Sequence, residues 1–205
     1  ACHVSVNGFY VEGRGPSGEG RGSTPQACAI VRRRRPFHRW HGKMAQSFAH
    51  GAHMPSSLTD VRRADRGDAK RLSAIAEATF RATFSALNTP EDVDLHCRNT
   101  YSEEIQASEI ADPDTVTLIG EQDEMLVGYA QLRWRKAPSC IVAEAPGEIQ
   151  RLYVVSDAHG KGVAHDLMNA CIDEMTRRRS DVAWLGVWEQ NPRAIAFYRK
   201  FGFVA

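Results

Sequence analysis

The chain has 205 residues, 42% hydrophobic and 25% charged, with a net charge of +1, which is enough apolar material for one sizeable core. No apolar run approaches the roughly 18 residues that a membrane span requires. The five cysteines (Cys2, Cys28, Cys97, Cys140, Cys171) are odd in number and lack a CxxC pair, which argues against a disulfide framework or zinc site and makes a reducing cytoplasm the expected location.

The small net charge hides two unlike parts. Residues 1–56 carry eight Lys/Arg against two Glu, leaving 18 Lys/Arg against 23 Asp/Glu in residues 57–205. An acidic second part suits a cationic partner and disfavours nucleic acid. The first part is rich in Gly and Arg, with Gly18-Glu19-Gly20-Arg21-Gly22 and a run Arg32-Arg33-Arg34-Arg35. It offers too little apolar surface to offset ordering, so residues 1–56 are expected to be disordered or non-native. The latter is raised by the start at Ala1, with Met44 and Met54 lying just ahead of the patterned region. The arginine run reads as a solvated tail ahead of a nucleic-acid contact or targeting signal. His38/His41 and His50/His53 lack acidic or cysteine partners at ligand spacing, so no metal is expected.

Residues 57–205 read as one folded domain. Leu58–Ala64 is a short strand. Asp68 opens an amphipathic helix in which Leu72, Ala76, Phe80 and Phe84 recur every four residues. Thr89-Pro90-Glu91-Asp92 supplies an N-cap, a proline at the first helical position and early acids, starting a second helix. A third helix runs from Ser102 to Ala111. Thr115–Gly120 and Met125–Trp134 are two strands of a hairpin joined by Glu121-Gln122-Asp123-Glu124. Residues 136–146 form a loop. Glu148–Val155 is then a strand, Gly160–Arg179 a long helix with Val163, Leu167, Cys171 and Met175 on its buried face, Val182–Trp188 a strand, and Pro192–Phe201 a helix. The order is mixed α/β.

Two constellations carry chemistry. His159-Gly160-Lys161-Gly162-Val163-Ala164 lies between a strand and a helix, where unpaired first-turn amides and the helix dipole favour a phosphate. Glycines there let the backbone approach closely. It is not a Walker A loop, because Gly162 follows Lys161, and His165 breaks a GxGxxG fingerprint. The second is Asn191 through Phe203, with Asn191 as N-cap, Pro192 at the first position and Gly202 at the stop. Those features explain a helix but not Tyr198, which can be a plain core aromatic.

Taken together, the two motifs resemble the GNAT superfamily of N-acetyltransferases, nearest the branch that includes bacterial polyamine acetyltransferases. The family signature Gln/Arg-x-x-Gly-x-Gly/Ala is matched by residues 159–164, with His159 where Gln or Arg is usual. The resemblance covers residues 58–205. It implies a mixed, mostly antiparallel sheet with flanking helices and a splay between the fourth and fifth strands of the family fold. It also implies two further C-terminal strands beyond Phe203, absent here. The chain is therefore expected to be C-terminally truncated, with Val182–Trp188 as an open, aggregation-prone edge.

The resemblance further implies acetyl-coenzyme A as co-substrate and no metal. The amides of His159, Gly160, Lys161, Gly162, Val163 and Ala164 would hold the diphosphate. The main chain of Leu152, Tyr153 and Val154 would line the pantetheine arm and donate to the thioester oxygen. The Tyr153 side chain, on the opposite face from its neighbours, is assigned to packing. Tyr198, with an ordinary pKa near ~10, would protonate the leaving thiolate, and Asn191 would contact the pantetheine arm or merely cap its helix. Some members carry a basic Glu where this chain has Gly186. Glu148 is the first candidate base and Glu189 the second, and each can equally be an ordinary charged residue. The expected partner is a small-molecule amine, and the acidic stretch Glu91–Asp114 favours a cationic one. No nucleic acid or membrane is expected, and a homodimer is left open. The alternative is a non-catalytic acyl-coenzyme A sensor.

Overall fold

In a computed structural model of the protein, the described residues are 27–33 (main chain only), 59–135, 137–188 and 191–204. Among these residues six strands form one sheet: β1 (Ala27–Arg33), β2 (Asp60–Arg63), β3 (Thr115–Gln122), β4 (Met125–Arg133), β5 (Pro146–Val154) and β6 (Val182–Trp188). Their spatial order is β1-β6-β5-β4-β3-β2. Every neighbouring pair is antiparallel except β5 and β6, which are parallel. The helices are α1 (Ala69–Phe84), α2 (Pro90–Tyr101), α3 (Glu103–Ala111), α4 (Val163–Arg177) and α5 (Pro192–Lys200). No helix among the described residues is long and apolar enough to cross a membrane.

Both sheet faces are covered. On one, Leu118, Leu132, Ile149, Leu185 and Val187 pack with Val163, Leu167, Met168, Cys171 and Met175 of α4, the four-residue stripe read from the sequence. On the other, Ile119 and Tyr129 pack with Leu72, Ala76 and Phe80 of α1 and with Val93, Cys97 and Tyr101 of α2. Fully burying each of the larger aliphatic side chains contributes about 1.5–3 kcal/mol. The buried Glu174 of α4 accepts from Arg63 of β2 at 2.6 Å and from Arg177 at 2.5 Å. That pairing ties the helix to the far side of the sheet.

The helix starts follow their capping chemistry. Thr89 accepts from the Asp92 amide, with Pro90 at the first position of α2, and Ser102 accepts from the Ile105 amide at the start of α3. The β3–β4 connection is tighter than expected. Both strands extend inward until only Asp123 and Glu124 turn the chain, at φ 49° and 64°. Such a turn ordinarily selects Asn-Gly or Asp-Gly, and without a glycine the sequence reads as a longer loop. Helix α4 begins at Val163 rather than Gly160, because Gly160 and Gly162 adopt positive φ, incompatible with the helix.

Two expectations for the first 56 residues change. Ala27–Arg33 is a strand, so Arg32 and Arg33 belong to the sheet rather than to a solvated run. It pairs antiparallel with the whole of β6, from Ala27 opposite Trp188 to Arg33 opposite Val182. The β6 edge expected to lie open is therefore paired. The remainder of residues 1–56, with both histidine pairs, lies outside the described residues. A third change concerns the thiols: Cys140, in the loop ahead of β5, is disulfide-bonded, whereas Cys97 and Cys171 are free.

Deleting residues 1–33 should uncover the β6 edge and lower stability. In a domain this size each lost kcal/mol shifts Tm by roughly 2–4 °C, so a drop of about 5–10 °C with concentration-dependent aggregation is expected. Calorimetry and light scattering check it, and an unchanged Tm would remove β1 from the stabilising sheet.

Candidate functional site

The chemistry-bearing residues gather where β5 and β6 part. Their parallel pairing covers only Pro146–Glu148 against Val182–Trp184, yet β5 continues to Val154 and β6 to Trp188. A bulge in β5 lies at this point. Gln131 and Leu132 of β4 oppose Arg151 and Ile149, leaving Gln150 as the extra residue. An extra residue bends its strand and strengthens the twist, and here it turns β5 away from β6. Beyond Glu148, the β6-facing side of β5 has no strand partner among the described residues; Tyr153 pairs with Tyr129 of β4, whereas the main-chain groups of Leu152 and Val154 alternate toward the gap.

The side chains of that stretch divide by face. Leu152 and Val154, like Phe197 and Tyr198 of α5, pack against the core beneath α4. Tyr153 lies on the other side, its ring 5.7 Å from that of Tyr129 and nearly parallel to it. Its packing surroundings agree with strand alternation.

From Val155 the chain makes one short turn of 3₁₀ helix and reaches the glycines. Gly160 has φ 79° and Gly162 φ 91°. A Cβ on Gly160 would meet nothing within 4 Å, and one on Gly162 only the Asp166 carboxylate at 3.9 Å. Backbone conformation rather than crowding therefore demands glycine at both positions. His159, Gly160, Lys161 and Gly162 are exposed. The His165 and Asp166 amides donate back to the Gly162 carbonyl at 2.8 and 3.0 Å. The amides of Gly160, Gly162, Val163 and Ala164 donate to no protein acceptor among the described residues. With the dipole of α4 behind them, they form a site suited to a diphosphate. At the position where Gln or Arg was the expected motif residue, Nε2–H of His159 donates to the Val154 carbonyl, 3.0 Å away, tying the turn back to β5.

Helix α5 faces the fork from the other flank. Asn191 caps it, accepting from the Ala194 amide at 3.0 Å, with Pro192 following. Tyr198 is partly buried, its ring edge-on to Phe197 and Phe203 at centroid distances of 5.4 and 6.0 Å. Burial pushes its phenol well above the ordinary 10, away from the unshifted value anticipated. Burial likewise raises the Cys171 thiol, which keeps it protonated and a poor nucleophile.

Glu148 stands at the fork itself, opposite Arg133 of β4 and Trp184 of β6. Burial raises its carboxyl above the usual 4.5, while Arg133, Arg135 and Arg151 pull it back. Glu189, the other candidate base, lies outside the described residues.

Sequence reasoning missed the polar cluster beside Glu148. Glu109 of α3 accepts from Arg151 at 2.8 Å, from Gln131 at 3.0 Å and from Arg133. The Arg151 guanidinium lies 5.2 Å from the centre of the Tyr101 ring. The spacing Gln131-x-Arg133-x-Arg135, polar at every second position of a strand, was the available signal.

Comparison with known proteins matches residues 75–203 to the model of the Acetyltransferase (GNAT) family. An uncharacterised N-acetyltransferase from the pepI 3′ region of Lactobacillus delbrueckii subsp. lactis is 30% identical over 135 residues, covering 66% of this chain and 78% of the relative. The PaiA N-acetyltransferase of Thermoplasma acidophilum, solved with coenzyme A, superimposes with a TM-score of 0.60 at 23% identity, over 70% of this chain and 87% of that one. An aminoglycoside N-acetyltransferase solved with coenzyme A gives 0.59 at 14% identity, over 74% and 92%.

Because space around Gly160 is open, Gly160→Ala isolates the conformational strain, which is about 1–2 kcal/mol for a side chain held in the left-handed region. Tm should fall by roughly 2–8 °C, read by differential scanning calorimetry. An unaltered transition would show that the turn relaxes freely.

Proposed function

We propose, since this chain belongs to the GNAT family of acetyltransferases, that it moves the acetyl group of acetyl-coenzyme A to the primary amine of a small molecule by direct attack within a ternary complex. The observation that carries the reading is the fork, a stretch of β5 that keeps β4 on one side but has lost β6 on the other, leading straight into a glycine turn with free amides. The donor's diphosphate would be held by the amides from Gly160 to Ala164, and its pantetheine arm would lie along Leu152–Val154, where a main-chain amide donates to the thioester oxygen. An amide fixed in a dry cleft stabilises the charge that develops there without reorganising.

Glu148 is the base in this scheme. The acceptor's ammonium loses one proton toward it, directly or through water, the freed lone pair attacks the carbonyl carbon, and the second nitrogen proton leaves to solvent as the amide forms. A C–N bond forms, the C–S bond breaks, and the thiolate takes a proton from Tyr198, which solvent restores. The raised pKa keeps Tyr198 in its proton-bearing form throughout the working pH range. The dry surroundings that raise it also make the leaving thiolate a stronger base, so the two remain matched. No thiol or hydroxyl nucleophile is required. A non-catalytic acyl-coenzyme A sensor is the second reading, favoured by His159, whose ring engages the Val154 carbonyl at the fork.

Tyr198→Phe should lower kcat by about 100-fold or more while leaving coenzyme A affinity, measured by titration calorimetry, within about twofold. Unchanged turnover would remove the acid role and favour the sensor. The second test uses pH. A base must be ionised, so a raised Glu148 pKa moves the acidic limb of kcat above the ordinary 4.5, with activity lost as pH falls through it. Glu148→Gln should lose this limb along with most of kcat, and persistence of the limb would point to another base.

A further inference from the structure

The acidic stretch Glu91–Asp114, which favoured a cationic acceptor when read as sequence, is largely engaged elsewhere. Asp94 pairs with Arg81 at 2.7 Å and Asp112 with Arg135 at 2.6 Å. Asp92 accepts from the Thr89 hydroxyl at the α2 start. Glu109, the acid nearest the fork, pairs with both Arg133 and Arg151. One carboxylate thus serves two guanidiniums, and no ion-pair partner within 4 Å is found for Glu148 among the described residues.

The polar atoms left over lie on this same face. The Arg151 side chain is only 4% exposed, yet its Nε has no hydrogen-bond partner, and Gln131 Oε1, Tyr101 OH and Arg133 Nε are buried and likewise unpartnered. Buried polar groups are almost always satisfied, so such a concentration beside the reacting centre marks a place built to meet a polar ligand. Arg133 and Glu148 are direct cross-strand partners. Partner residues have Cα atoms only about 4.5–5.5 Å apart. A molecule touching both must therefore carry its two polar groups within a few bonds of each other.

We infer, building on the acetyl-transfer reading above, that the acceptor is an α-amino-acid-type zwitterion, its amine presented to Glu148 and its carboxylate read by Arg133. The charge count agrees. Facing the fork are Arg133, Arg151, Glu109 and Glu148, with Arg135 already neutralised by Asp112. Once Glu148 has taken the amine proton, this group is left with one excess positive charge. An amino carboxylate cancels it, whereas a polyamine would add a second positive charge in a poorly solvated place, which is costly. Arg133 is thus a specificity-determining residue, and Arg151, held by Glu109 and Tyr101, fixes the shared carboxylate of Glu109 beneath it.

The test uses matched acceptor pairs differing only in the carboxylate: histidine against histamine, leucine against isopentylamine, ornithine against putrescine. Acetylation is followed by thiol release, with acetyl-coenzyme A binding measured separately by calorimetry. Each amino acid should exceed its decarboxylated partner in kcat/KM by at least about tenfold, as a site built around a polar group rejects the analogue lacking it. Arg133→Gln should abolish that ratio by raising KM for the amino acids, leaving KM for acetyl-coenzyme A unchanged. Arg133→Lys should restore part of it. Glu109 keeps Arg151 in either variant, so the fold retains its pairing, and a thermal scan monitors this. Equal rates within the pairs, preference for the plain amines, or no turnover of any pair by protein that binds acetyl-coenzyme A overturns the inference alone. Absence of acetyl-coenzyme A binding overturns the acetyl-transfer reading and the inference with it.

Discussion

Past Glu148 and Trp184, the hydrogen bonds that would hold β5 to β6 stop, although both strands run on. Main-chain amides and carbonyls without partners are among the costliest things a protein can keep from water. The fold tolerates them here because the sheet is well secured on both sides of the gap. β4 braces β5 along nearly its whole length, α4 packs across the sheet with a buried stripe, and β1 pairs with all of β6. The cleft is thus an effect of strand geometry, produced by one extra residue at Gln150. The glycine turn and the Tyr198 helix lie at its two margins because the chain leaves β5 and β6 there.

The same frame explains why the neighbouring chemistry is electrostatically tense. The face of the sheet toward α2 and α3 places Arg133, Arg151 and Glu148 within influence of one another, with Glu109 as the carboxylate binding the two guanidiniums. Isolated guanidiniums in such a place would destabilise the fold. Sharing one carboxylate lowers that cost without eliminating it, and several buried polar atoms on this face keep no hydrogen-bond partner.

What could be read from sequence was what local chemistry determines. Thr89-Pro90, Ser102 and Asn191 announce helix starts because their side chains satisfy nearby amides whatever the tertiary setting. The four-residue stripe of α4 and the strand Val182–Trp188 follow from periodicity alone. Features settled by distant partners were not legible. Ala27–Arg33 becomes a strand only because β6 offers an edge, and its Gly- and Arg-rich surroundings conceal a short β-prone run. The turn at Asp123-Glu124 has no glycine to advertise its positive φ. The Glu109 cluster joins α3, β4 and β5 across the sheet, and only the alternation in Gln131, Arg133 and Arg135 hinted at it. The state of Cys140 follows from spatial neighbours that spacing does not reveal.

The β1–β6 ladder also constrains the order in which the molecule can be assembled. Among the described residues the first strand is matched to the last, so during synthesis β1 must wait until β6, about 150 residues later, has emerged. Contacts this remote in sequence form late and slowly. The entropy of closing so long a loop rises only gently with its length, so the finished ladder suffers little for its remoteness. Until then a nascent chain carries two complementary sticky edges, and a neighbouring copy on the same message could exchange them.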